Sequence, residues 1–129
     1  MLRSIDRIFA LLLALAACGH TAGTVLWTPP MSGIFIWSLG SSLAAGMLAA
    51  LNFVRAGRPN DKTLAVITAV GTACWGLVAF AFGLSIHNVL DPRPLSHVVI
   101  SIALVIFSAI SFLRRPAQAS SPSFPAVAR

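Results

Sequence analysis

Polar and apolar positions alternate in long blocks. Four stretches lack any Asp, Glu, Lys or Arg: Ile8–Trp27, Ile34–Val54, Leu64–Ile86 and Leu95–Leu113. Each holds about 20 residues, which at about 1.5 Å per helical residue crosses a hydrocarbon core of about 30 Å. The runs are too long for strands, so they predict four transmembrane helices over 8–27, 34–54, 64–86 and 95–113. The segments between them, "TPPMSG", "RAGRPNDKT" and "HNVLDPRPLS", carry the Pro, Gly and charged residues that end helices and favour water. Connections this short predict that successive helices are antiparallel neighbours. The fold expected is an all-α membrane protein, an antiparallel four-helix transmembrane bundle filling residues 1–114. The Pro/Ser/Ala-rich segment 115–129 reads as a disordered cytoplasmic tail.

Composition agrees with lipid as the main solvent. The chain has 129 residues, of which 57% are hydrophobic and 9% charged, against roughly a quarter charged in an ordinary soluble domain. The net charge of +6 raises nucleic acid as a partner, but the placement of the charges argues against it. Arg3, Arg7, Arg55, Arg58, Lys62, Arg114, Arg115 and Arg129 fall on one side of a four-span chain and only Arg93 on the other. This is the positive-inside pattern, and it predicts that both termini are cytoplasmic. The partner expected first is the lipid bilayer, then further copies of the chain or a larger membrane complex.

The N-terminus invites a second reading. "MLRSIDR" followed by "IFALLLALAA" resembles a signal peptide, and "LAAC" before Gly19 resembles the lipobox of bacterial lipoproteins. The apolar run continues past Cys18 through "TAGTVLW", which favours an uncut first helix. Cys18 and Cys74 are then expected to be small apolar core residues.

Small and weakly polar residues recur on one side of each run. Gly19 and Gly23 mark such a side on the first helix, and Ser38, Ser42, Gly46 and Ala50 on the second. Thr68, Thr72, Gly76, Ala79 and Gly83 mark the third, and His97, Ser101, Leu104, Ser108 and Ser111 the fourth. In lipid, packing must replace the hydrophobic drive between helices, so Gly19, Gly23, Ser38, Ser42, Gly46, Gly76 and Gly83 are the expected packing positions.

The chemistry on offer is sparse. No charged residue lies within the four runs, which weighs against proton-coupled transport. No nucleophile–base pair, phosphate loop or carboxylate pair is present, so the chain does not read as an enzyme. His20, His87 and His97 all fall toward the extracytoplasmic side. As imidazoles they are candidate ligands for haem, a metal or a quinone. His20 is expected to turn into the bundle, where its N–H finds a Ser, Thr or carbonyl partner.

"GHTAGT", "NFVRAGRPNDKTLA" and "LDPR", within residues 1–114, are similar to segments of small four-span bacterial inner-membrane proteins with no assigned activity. The resemblance implies a bacterial plasma-membrane setting. The function expected is that of a non-enzymatic integral membrane protein, a packing or accessory subunit. A cofactor-binding membrane protein and a small transporter or channel component are the alternatives.

Overall fold

The computed structural model describes residues 1–114; the segment 115–129, expected as a tail, lies outside the described residues. Four helices follow one another: α1 (Leu2–Trp27), α2 (Gly33–Gly57), α3 (Lys62–Ser85) and α4 (Pro92–Leu113). All four are long and apolar enough to cross a membrane. α1 packs most extensively on α2 and α3 on α4, giving two helical hairpins. The hairpins meet through α1 with α4 and α2 with α3.

Local chemistry sets the helix ends. The Ser32 hydroxyl accepts from Phe35 N–H at 3.2 Å and the Asp61 carboxylate from Leu64 N–H at 2.9 Å, so each satisfies a backbone donor at a helix start. Pro92 opens α4, where its missing N–H costs nothing, and Asp91 accepts from Arg93 N–H at 2.9 Å. α3 closes with two backbone bonds that fold the chain back: Asn88 N–H to Gly83 C=O and His87 N–H to Leu84 C=O, both 3.0 Å. This is the Schellman ending, and it puts His87 at the left-handed position that glycine usually fills, with φ of 54°.

The helices reach further than the uncharged runs. α1 takes in Arg3, Asp6 and Arg7, and α2 takes in Arg55. Asp6 and Arg55, each just outside an uncharged run, are buried within the bundle, which the runs alone did not predict. The core runs through Ala10, Leu13 and Ala17 of α1, Ala45 and Ala49 of α2, and Ile100 and Leu104 of α4, with Trp75 packed against it. Cys18 and Cys74 are exposed free thiols on the outer surface of the helices, not core residues as expected.

Candidate functional site

The second turn of α1, the middle of α3 and the last turns of α2 and α4 contribute to one buried polar network. Its centre is Arg55, which is fully shielded. Arg55 Nη2 donates to Asp6 Oδ1 of α1 at 2.7 Å, and Nη1 donates to Ser111 Oγ of α4 at 3.1 Å. Nε and Nη2 both donate to Asn52 Oδ1, one turn earlier on α2, at 3.3 and 3.2 Å. Asn52 Nδ2 in turn donates to Thr72 Oγ1 of α3 at 2.9 Å and to Leu48 C=O at 2.9 Å. All four helices therefore place a side chain in one connected set of bonds. A buried guanidinium is tolerated only when a counter-ion and further acceptors replace water, and these residues supply both.

A second bond joins α3 to α4. Thr68 Oγ1 lies 2.8 Å from Leu64 C=O and 3.0 Å from Ser108 Oγ. With the Thr68 proton given to its own helix, Ser108 is the donor to Thr68. Beside Asp6 a void of about 10 Å³, lined by Arg3, Ser111 and Arg114 among others, has room for about one water molecule.

Toward the opposite end, Trp75 Nε1 donates to His97 Nδ1 at 3.2 Å, with the rings edge-on and their centroids 5.5 Å apart. This satisfies the indole N–H that a mid-span tryptophan must place. The three histidines do not share one position. His97 is half-buried, whereas His20 is exposed on α1, not turned inward as expected. His87 is exposed in the left-handed turn after α3. Among the described residues no group of three or more His, Cys, Asp or Glu side chains is placed to hold a metal ion.

The small residues named as packing positions have distinct surroundings. A Cβ on Gly76 would meet Ser101 Cβ of α4 at 3.0 Å, and one on Gly83 would meet the backbone at Val89 at 3.2 Å, so α3 and α4 approach closely at both. A Cβ on Gly23 would meet the ring of Trp27, on its own helix, at 3.2 Å. Cβ atoms on Gly19 or Gly46 would meet nothing within 4 Å. Ser42 is buried and Ser38 partly so, with Ser42 Oγ donating to Ser38 C=O at 3.1 Å. Gly71, which the spacing did not single out, lies against α2: a Cβ there would meet Leu48 Cδ2 at 2.8 Å. Ser101 Oγ is buried without a partner among the described residues.

A family model matches residues 3–111, which includes every member of the polar network from Asp6 to Ser111. The chain belongs to the family of unknown function DUF6962. No curated protein and no solved structure matches it. The network and the Trp75–His97 pair are thus the chemistry that this member of the family offers for interpretation.

Asn52, with Asp6 and Arg55, is the part of the site that sequence reasoning missed, whereas Thr72 and Ser111 were already marked on the small faces of α3 and α4. The available signal was one amide in the apolar run "MLAALNFV", at a depth where an unpaired amide is costly.

Proposed function

We propose that this protein is a multi-pass integral protein of the bacterial plasma membrane, an antiparallel bundle with both termini cytoplasmic, acting as a non-catalytic subunit through its outer surface. The observation that carries the reading is the network around Arg55. It joins all four helices at one end and spends the interior polar groups on one another. A bundle closed in this way resembles a structural plug more than a conduit, and its remaining surface is almost wholly apolar.

The antiparallel arrangement is supported by the same bonds. Asp6 near the start of α1 and Thr72 in α3 reach residues near the ends of α2 and α4. The orientation is supported by charge: the end holding the network also carries Arg3, Arg7, Arg58, Lys62 and Arg114, whereas Arg93 is alone at the other and is paired with Asp91 at 2.8 Å. The surface is supported by exposed Leu, Ile, Val, Phe and Trp along every helix, Trp27 and Trp37 among the most exposed.

The test has two parts. Reporter fusions after Arg115 and within the 87–91 connection should report cytoplasm and periplasm respectively; the reverse pattern rejects the orientation. Native mass spectrometry after mild-detergent extraction should find the chain with further copies of itself or with another membrane protein. A monomer under every gentle condition rejects the subunit role.

A further inference from the structure

The whole chain sets three acidic side chains against nine basic ones, and each acid is already engaged. Asp6 holds Arg55 at 2.7 Å and Asp91 holds Arg93 at 2.8 Å. The Asp61 carboxylate accepts from Leu64 N–H at the start of α3. No acidic side chain is left for the cations that gather at the network end.

Those cations are not alike. The Arg7 guanidinium lies over the Phe53 ring and the Lys62 ammonium over the Phe112 ring, each 5.5 Å from the centroid. Arg3 and Arg114 instead line one recess, the one beside Asp6. Arg3 reaches it from the first turn of α1, and Arg114 from the residue that caps α4. Neither makes an ion pair among the described residues. Counting its open side, the recess holds about 290 Å³ of unfilled space, of which about 10 Å³ has room for a whole water.

The walls define what would fit. Asp6 also lines the recess, but its charge is matched by Arg55. What remains is two guanidinium charges on one cavity with no counter-charge. A guanidinium presents a planar fork of donors that meets phosphate oxygens two at a time. One water beside Asp6 can donate both to the carboxylate and to a phosphate oxygen, which separates the two anions. Leu2, Phe107 and Ile110 complete the wall. A phosphate carrying an acyl chain gains that apolar contact, whereas a free phosphate does not. Basic recesses between transmembrane helices at the headgroup level hold anionic lipids for this reason.

We propose that Arg3 and Arg114 form a binding site for a phosphate group, carried by an anionic phospholipid or free in solution. The lipid arm rests on the membrane setting proposed above, but on neither the subunit role nor the orientation.

The experiment uses the full chain in neutral detergent. In the first arm phosphatidylglycerol is titrated and bound lipid is counted by native mass spectrometry. One saturable lipid is expected, bound more tightly than phosphatidylcholine, whose ammonium group meets the same arginines. Arg3→Gln or Arg114→Gln should each weaken it about tenfold, the loss of a charge-assisted hydrogen bond. Arg58→Gln removes a charge at the same end but outside the recess, and should leave binding unchanged. In the second arm inorganic phosphate is titrated by calorimetry against the same variants. Binding that depends on Arg3 and Arg114 supports the site in either arm, and the arm that shows it names the source. Absence of saturable binding in both arms overturns it. So does equal weakening by Arg58→Gln, which would reduce the effect to bulk charge. A chain that stays soluble without detergent would reject the membrane setting alone, and the phosphate arm would still test the arginines. Arg3 is exposed, so Arg3→Gln keeps the test valid even where Arg114→Gln disturbs the end of α4.

Discussion

Arg55 Nη2 lies 2.7 Å from Asp6 Oδ1, and the guanidinium is wholly shielded from the surroundings. The pair joins the start of α1 to the last turns of α2. Its attraction offsets the cost of removing both charges from water, so its main contribution is to tolerate no other arrangement of the two helices. Removing one partner is therefore worse than removing both.

Asp6→Leu should lower stability by about 3–5 kcal/mol, because Arg55 is left buried and uncompensated. Arg55→Met in the same chain should recover a large part of that loss. Thermal unfolding in detergent of the two single variants and the double variant gives the coupling directly. If the single losses simply add, the ion pair is not acting as a unit.

Glycine positions give a sharper contrast. Gly46→Ala places a methyl in open space and gains the helix propensity of alanine, so stability should rise by about 0.5–1 kcal/mol. Gly76→Ala drives a methyl to 3.0 Å from Ser101 Cβ, an atom fixed to the α4 backbone, and should lower the melting temperature by parting α3 from α4. The same shift in both variants would mean that the α3–α4 approach is looser than the geometry indicates.

These contrasts also mark what the sequence could and could not tell. The four helices were legible because uncharged runs of membrane-spanning length admit few other readings. The buried face of α4 was legible because His97, Ser101, Leu104, Ser108 and Ser111 alternate spacings of four and three, which holds a stripe in place. On α2 the spacing of four throughout, Ser38–Ser42–Gly46–Ala50, drifts by about 40° at each step around a helix of 3.6 residues per turn. The buried positions are instead Ser42, Ala45, Ala49, Asn52 and Ala56, which alternate three and four, together with Arg55 one turn after Asn52. Gly19 fell to the same arithmetic, since it lies nearly opposite the buried Ala17. Asp6 and Arg55 were hidden for another reason. A run of apolar residues is read as ending at a charge, but each of these charges has its partner on a different helix.

His87 has a conformational role that its side chain does not advertise. Its φ of 54° costs an L-residue about 1–2 kcal/mol that glycine does not incur. His87→Gly should therefore raise stability by about 1 kcal/mol, measured by thermal unfolding. A loss of stability would show that the imidazole itself makes a contribution larger than the backbone cost.

The Asp91–Arg93 pair should give the connection before α4 a recognisable pH dependence. Hydrogen bonds from the Arg93 side chain and backbone hold the Asp91 carboxyl down at about 2, from an ordinary 3.8. A depressed acid stabilises the folded state fully above its unfolded value and loses that contribution as pH falls through its folded value. The stability difference between the native chain and Asp91→Ala should thus be constant above about pH 5, shrink from about pH 4 downward and vanish near pH 2. A difference that persists unchanged at pH 2 would assign the role of Asp91 to something other than its charge.

Asn52 should prove more important than its single bond to α3 suggests. Its amide donates to Thr72 and to Leu48 C=O, while its carbonyl oxygen receives two bonds from Arg55. Thr72→Val removes only the acceptor at the far end and should cost about 1–3 kcal/mol, the price of one unpaired buried donor. Asn52→Leu removes the acceptor for two guanidinium hydrogens and breaks the tie between the hairpins at once. Its loss should exceed that of Thr72→Val by at least about 1 kcal/mol, since bonds to a charged group are worth about 1.5–3 kcal/mol. Cysteines placed at positions 48 and 71, where the Leu48 side chain lies against Gly71, should cross-link in the native chain and in Thr72→Val. They should do so more slowly in Asn52→Leu. Equal cross-linking in all three would mean that apolar packing, with Leu48 against Gly71, holds the hairpins together without the amide.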